Sequence, residues 1–303
     1  MNELFNKKYL IPVYSGTLAI ESILKLLNLN KDDKVLISST VCYSILEAIL
    51  NSNLKPVIAI PKKGVTLSEE ELKNILKQED IKVFMAVHQY GYEQVIPKLK
   101  DIIVIEDISQ SWNLIPSKYP IGKNSDYIIT SLGKTKPLSN GIGGLIITDN
   151  DILKYFDYKK KECRLINHHL LEYYYDKPIN YEKIINKANK KVAKQRKQAL
   201  LLDKIFTNNK YIHKLSSTSI PSYHRYLVTA DKKLEEFLTI LNDCNIKYQK
   251  EYKIKLYEIP LIAKYNIKVI GNTKNNYILI ELNNLKNIKL LQKRMEELKW
   301  IIN

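Results

Sequence analysis

The sequence predicts an α/β large domain built on a mostly parallel sheet, followed by a small α+β C-terminal domain. Three observations carry this expectation. Seven short Val- and Ile-rich runs recur through the first half of the 303-residue chain. Amphipathic segments at helical spacing separate several of them. Near residue 150 the pattern gives way to a Lys- and Tyr-rich helical stretch, and then to a second strand–helix–strand–helix series.

The strand-length runs are residues 9–14, 34–38, 56–60, 83–88, 102–106, 127–131 and 145–148. Near-continuous apolar runs of this length suit strands buried on both faces of a parallel sheet. Residues 17–29 place Ile20, Ile23, Leu24 and Leu27 on one helical face. Residues 44–50 and 69–76 read similarly, and Ser68 with Glu71 forms a Ser-x-x-Glu helix start. Residues 151–206 are expected to be helical, with a break at Asp176 to Pro178. Strands at 223–229 and 277–282 and helices at 234–241 and 287–300 complete the chain. The expected division is 1–160 for the large domain, 161–206 for a helical connector and 207–303 for the small domain.

Composition excludes several classes. Lys plus Arg is 48 and Asp plus Glu is 32, a formal net charge of +16. The Lys, Asn, Ile and Tyr bias with only 9 Gly is that of an AT-rich genome, which weakens a nucleic-acid reading of the charge. Cys42, Cys163 and Cys244 are odd in number and far apart. They suit neither a disulfide framework nor a zinc site, and they point to a reducing, cytoplasmic setting. No apolar run is long enough to span a membrane, and no signal-peptide core is expected at the start.

Four constellations sit at expected strand ends, where α/β sheets bind ligands. Ser15-Gly16-Thr17 follows a strand and opens a helix, which makes either a phosphate cradle or an ordinary capped helix. Glu106-Asp107-Ile108-Ser109-Gln110 ends a hydrophobic strand in two carboxylates that need partners. Ser131 to Gly144 carries Lys134 and Lys136 and then a Gly-rich turn; a partly desolvated lysine there can act as a nucleophile, and a basic loop is the plain alternative. Val87-His88-Gln89-Tyr90-Gly91 places a histidine for which a structural role is the commoner reading.

Taken in order, these segments resemble the DegT/DnrJ-type nucleotide-sugar aminotransferases, pyridoxal-phosphate (PLP) enzymes of the aspartate-aminotransferase fold, fold type I. The matching motifs are Ser15-Gly16-Thr17, Val87-His88-Gln89-Tyr90-Gly91, Glu106-Asp107-Ile108-Ser109-Gln110, Ser131 with Lys136 five residues on, and Gly141-Ile142-Gly143-Gly144. The resemblance runs from about residue 10 to 150, with a weaker continuation at Ser222-Tyr223-His224. It implies Lys136 as the Schiff-base lysine, with Lys134 the alternative. It implies Asp107 as the carboxylate on the ring nitrogen and Gln110 beside the ring oxygen. Gly16, Thr17, Leu18 and Ser131 match the phosphate cup, Leu18 through its backbone N–H alone.

The implied activity is transfer of an amino group from glutamate to a nucleotide-linked keto-sugar, in bacterial polysaccharide or secondary-metabolite synthesis. A homodimer with the site between subunits is implied as well. Relatives that remove hydroxyl groups carry His where this chain has Lys136. The chain departs from the pattern in four respects. It is short. Cys42 stands at the ring-stacking position, where a small packing residue is the plainer reading. Asn180-Tyr181-Glu182 is the nearest match to a segment that reaches the phosphate from the second subunit, with Glu182 in place of Arg. Ile142 replaces an acidic residue, and residues 246–259 have no clear counterpart. These departures leave two rivals: a PLP enzyme for a non-sugar substrate, and a partner subunit without turnover. The basic residues of 183–197, from Lys183 to Lys197, are expected to form a solvated helix face, with an anionic partner as the alternative.

Overall fold

The computed structural model describes residues 2–152, 179–230, 233–250, 255–272, 277–282, 285 and 287–298. The expected break at Asp176, the run Tyr173 to Tyr175 and the 160/161 boundary lie outside the described residues.

The large sheet holds eight strands in the order β1-β7-β6-β5-β4-β2-β3-β11. These are β1 (Tyr9–Val13), β2 (Lys34–Ser38), β3 (Lys55–Ala59), β4 (Ile81–Val87), β5 (Ile103–Asp107), β6 (Tyr127–Ser131), β7 (Gly144–Thr148) and β11 (Lys268–Ile270). β7 runs antiparallel to both β1 and β6, and the remaining pairs are parallel. The C-terminal ends of β1, β2, β4, β5 and β6 therefore share one edge, and every constellation named above falls on it.

Helices cover both faces. α1 (Gly16–Leu26) and α2 (Tyr43–Asn51) bury Ile20, Ile23, Leu24, Ile45, Leu46 and Ile49 against β1, β2, β4 and β5. α3 (Glu69–Gln78) sets Leu72 and Ile75 against Leu36, Val57 and Phe84 on the other face. Its start is the expected capping box. Ser68 N–H donates to Glu71 Oε2 at 2.9 Å, and Glu71 N–H to Ser68 Oγ at 3.2 Å.

α4 (Tyr181–Phe206) is a single helix of 26 residues, roughly 39 Å at 1.5 Å per residue. Its first half buries Ile184, Ala188 and Val192 with Leu132, Leu138 and Leu145. Its second half buries Ala199, Leu202, Ile205 and Phe206 in the core of the second unit. That unit is an antiparallel sheet, β10-β12-β9-β8, packed under α5 (Leu234–Asp243) and α7 (Ile288–Glu297). Its strands are β8 (Ile212–Lys214), β9 (Tyr226–Ala230), β10 (Tyr248–Lys250) and β12 (Tyr277–Ile280). The other face of this sheet meets the large domain. Val65, Tyr90 and Tyr92 pack with Leu227, Tyr277 and Leu279, and Gly64 N–H donates to Tyr277 Oη at 2.8 Å.

The chain returns to the large sheet after β10. A short helix, α6 (Pro260–Lys264), precedes β11, which adds in parallel to β3, and Ile60 N–H donates to Ile270 O at 2.8 Å. Leu256 and Ile267 lie in the large-domain core. The expected division at 207–303 assigns this stretch to the small domain. Three residues, Lys-Val-Ile, carry too little pattern to show which sheet they join.

Candidate active site

α1 begins immediately after β1. Ser15 is its N-cap, in extended conformation, and its Oγ accepts Leu18 N–H at 3.1 Å. The Leu18 N–H expected in the phosphate cup is thus held by the cap. Thr17 N–H and Oγ1 have no partner among the described residues and stand at the positive end of the helix. The sheet presses close behind this turn. A Cβ on Gly16 would sit 3.0 Å from Ser131 Cβ, and one on Gly144 would sit 2.5 Å from the Ser15 carbonyl carbon. Ser131 N–H donates to Ser109 Oγ at 2.9 Å, which ties the end of β6 to the turn after β5. The structure therefore brings Gly16, Thr17 and Ser131 together.

Glu106 and Asp107 end β5, and alternation along the strand turns them to opposite faces. Glu106 faces inward. Its Oε1 meets His88 Nε2 at 2.9 Å, and its Oε2 accepts Gly122 N–H at 2.8 Å and Ser125 Oγ–H at 2.7 Å. His88 Nδ1 accepts Gln94 N–H at 3.0 Å, so the neutral ring carries its proton on Nε2 and donates to Glu106. His88 is structural. Asp107 is buried at 6% exposure, yet among the described residues its carboxylate has one hydrogen bond, from Ser109 N–H to Oδ1 at 2.7 Å. One carboxylate oxygen remains for a ligand. Gln110 Oε1 accepts Tyr90 N–H at 3.0 Å, which fixes the amide, and its NH₂ has no partner among the described residues.

The loop from Ser131 to Gly144 closes on itself. Leu132 N–H donates to Gly143 O at 2.7 Å, Lys136 N–H to Gly133 O at 3.0 Å, and Asn140 N–H to Leu132 O at 2.9 Å. Gly141 and Gly143 adopt φ of 97° and 113°, conformations that favour glycine. Within this loop Lys134 is exposed and Lys136 half-buried.

Two groups that the sequence did not place at the site join it from the second half of the chain. Lys191 of α4 directs its Nζ to the carbonyls of Thr135 and Lys136, 3.4 Å from each. Burial, then Arg225 and Lys187, push its pKa below the usual lysine value. His224 precedes β9 and is buried, with its Nδ1 sealed from solvent and unbonded. Burial, helped by Arg225, Lys136 and Lys191, pushes its pKa down to about 3, so the ring is neutral. The sequence signal for His224 was the weak Ser222-Tyr223-His224 match. For Lys191 it was one lysine among many.

Cys42 is the half-buried N-cap residue of α2 and accepts Ser44 Oγ–H at 3.2 Å, while Tyr43 beside it is 47% exposed. Asn180 caps α4, with Oδ1 accepting Lys183 N–H at 2.9 Å, so its amide oxygen has a structural partner.

A helix N-terminus, a buried aspartate and a half-buried lysine on one edge of a mostly parallel sheet define a fold type I PLP-enzyme architecture. The chain belongs to the DegT/DnrJ/EryC1/StrS aminotransferase family, whose model matches residues 1–174. It is 25% identical over 158 residues to GDP-perosamine synthase of Vibrio cholerae, covering 50% of this chain and 43% of that protein. It is 28% identical over 160 residues to protein MosB of Rhizobium meliloti, covering 50% of this chain and 31% of that one. The match thus spans less than half the length of these curated relatives. Among solved structures, PseC of Helicobacter pylori, an aminotransferase of pseudoaminic acid biosynthesis, superposes with TM-score 0.75 at 18% identity, covering 97% of this chain and 88% of that one. GDP-4-keto-6-deoxymannose-3-dehydratase (ColD) superposes with TM-score 0.76 at 15% identity, covering 96% and 89%.

Proposed function

We propose that this chain is a PLP-dependent aminotransferase that moves an amino group, with glutamate as the donor, to a keto-sugar carried on a nucleotide. The observation that carries the reading is the pairing at one sheet edge of Asp107, buried with one oxygen unbonded, and Lys136, half-buried beneath α4. The family and the sugar-acting relatives supply the substrate class.

The residues present fit this cofactor. Thr17 N–H and Oγ1 at the start of α1, with the Ser131 hydroxyl on the neighbouring strand end, would hold the phosphate. Asp107 would hold a proton on the ring nitrogen, and the Gln110 NH₂ would donate to the ring oxygen. PLP, when bound, supplies an electron sink for the carbon that loses its proton. Lys136 would carry the cofactor, and its amine would also move a proton at the substrate carbon. Its being lysine rather than histidine favours amino transfer over hydroxyl removal.

Tyr43 and Ile142, each 47% exposed at this edge, support a second copy of the chain as cover for the site. A partner without turnover is the competing reading, favoured by Cys42 at the stacking position and Glu182 where arginine is expected.

The test is a half-reaction. Protein loaded with PLP is mixed with glutamate alone, and the visible band and 2-oxoglutarate are followed. Loss of the band with one 2-oxoglutarate per site supports amino transfer. Bound PLP that ignores glutamate contradicts the donor, and a folded protein that never binds PLP supports the partner reading.

A further inference from the structure

The loop that carries Lys136 lacks support at its tip. Its internal hydrogen bonds use the N–H groups of Leu132, Lys136 and Asn140, and Pro137 has no N–H to give. The carbonyls of Thr135 and Lys136 receive no backbone donor. Among the described residues, Lys191 Nζ is the one donor to either, at 3.4 Å from each.

Lys191 is itself held firmly. Val192 and Ala188, its neighbours on α4, are fully buried. Asn189 Oδ1 accepts Trp112 Nε1–H at 2.8 Å, which ties the helix to the turn after Asp107. Arg196 Nε donates to Pro221 O at 3.1 Å, on the approach to His224. One helix thus fixes the Lys136 loop, the Asp107 turn and the His224 segment relative to each other.

Lys191 has no carboxylate partner among the described residues. The charged groups facing it are Arg225 from the approach to β9 and Lys187 on its own helix, and it shares the neighbourhood of neutral His224 with Lys136. A half-buried ammonium in cationic company costs free energy, since neither Coulomb attraction nor full hydration offsets its burial. Stability alone would favour an uncharged residue here, so the charge points to a role at the site.

We infer that Lys191 is a positioning residue for Lys136. It pins the backbone of the lysine loop through two carbonyls and adds a second positive charge to the pocket. This rests on the reading of Lys136 as the PLP-bearing lysine. α4 is then part of the active-site frame.

The test compares wild type, Lys191→Met and Lys191→Arg. Methionine keeps the stem and removes the donors and charge. In the PLP-free full chain, hydrogen exchange across residues 133–141 should quicken by about fivefold in K191M. Exchange elsewhere should not change, and Tm should stay within about 2 °C. In the PLP-loaded protein, the pH midpoint of the visible band should rise by about half a unit or more in K191M, because removing a neighbouring cation favours a protonated form. K191R should restore both readouts. Unchanged exchange in the loop, exchange that quickens throughout the chain, or an unmoved pH midpoint overturns the inference. Failure of borohydride to fix PLP on Lys136 in wild type removes the underlying reading instead, so the two failures are distinguishable.

Discussion

Glu106 and Asp107 are adjacent carboxylates on β5 whose surroundings are opposite. Glu106 is enclosed by His88, Gly122 and Ser125, whereas among the described residues the Asp107 carboxylate meets Ser109 N–H alone. Glu106→Gln replaces an acceptor oxygen in a buried network by an amide NH₂ and should cost about 2–3 kcal/mol. Asp107→Asn should leave thermal unfolding nearly unchanged while lowering amino-transfer kcat by roughly a hundredfold or more, because a ring-nitrogen partner is lost. Unfolding curves and half-reaction rates for both variants would show whether the roles divide this way. His224 makes a pH prediction. Its pKa falls from 6.5 in the unfolded chain to about 3 in the folded one. Between those values the unfolded chain binds a proton that the folded chain does not. The His224 contribution is therefore complete above about pH 6.5 and is lost as pH falls, with a slope of at most about 1.4 kcal/mol per pH unit. His224→Gln should remove that part of the acid limb in a Tm-against-pH series.

At the scale of elements, β11 is held to the sheet by more than backbone pairing. The buried Glu79 carboxylate accepts Lys34 Nζ at 2.9 Å and also pairs with Lys268 at the start of β11. Hydrogen bonds from Lys268 and Lys34 hold its pKa below the usual glutamate value. A lowered folded pKa means the contribution is present above the unfolded value of 4.5 and lost as pH falls through the folded one. Glu79→Gln should cost about 1 kcal/mol near neutral pH, both lysines being partly exposed, and proteolysis should open the segment around residues 255–272 first. Gly144→Ala tests the contact between β7 and α1. Its Cβ would meet the Ser15 carbonyl at 2.6 Å or less, which should displace the start of α1 and weaken PLP binding by about tenfold or more. Titration with PLP would measure it.

The same elements show what the sequence makes legible. β2, β6 and α3 lie where the apolar runs and the Ser68–Glu71 capping box place them, because burial on two faces and a local cap leave strong one-dimensional signals. β8, β10 and β11 have three residues each and depend on distant partners for their identity. The site divides similarly. Gly16, Thr17, Asp107, Gln110, Ser131 and Lys136 follow strand ends and could be read in order. The Ser15 cap on Leu18 N–H spans three residues and is local, whereas the inward turn of Lys191 depends on tertiary packing.

For the whole molecule, the net charge of +16 has no single explanation. On the basic helix α4, Lys191 and Arg196 are held by backbone carbonyls at the site and its frame, while Lys183, Lys187, Lys190 and Lys197 are exposed. A second copy of the chain is the expected cover for Tyr43 and Ile142. Light scattering on the PLP-loaded protein should therefore give about twice the 35.3 kDa of one chain, and a monomer that turns over would contradict that cover. Chemical fixation of the cofactor tests whether Lys136 carries it. The protein is loaded with PLP, reduced with borohydride, digested and mapped by mass spectrometry. A pyridoxyl group on Lys136, lost in Lys136→Ala while Lys134→Ala retains it, is the predicted result. A label on Lys134, or a folded protein that takes no label, would contradict the account.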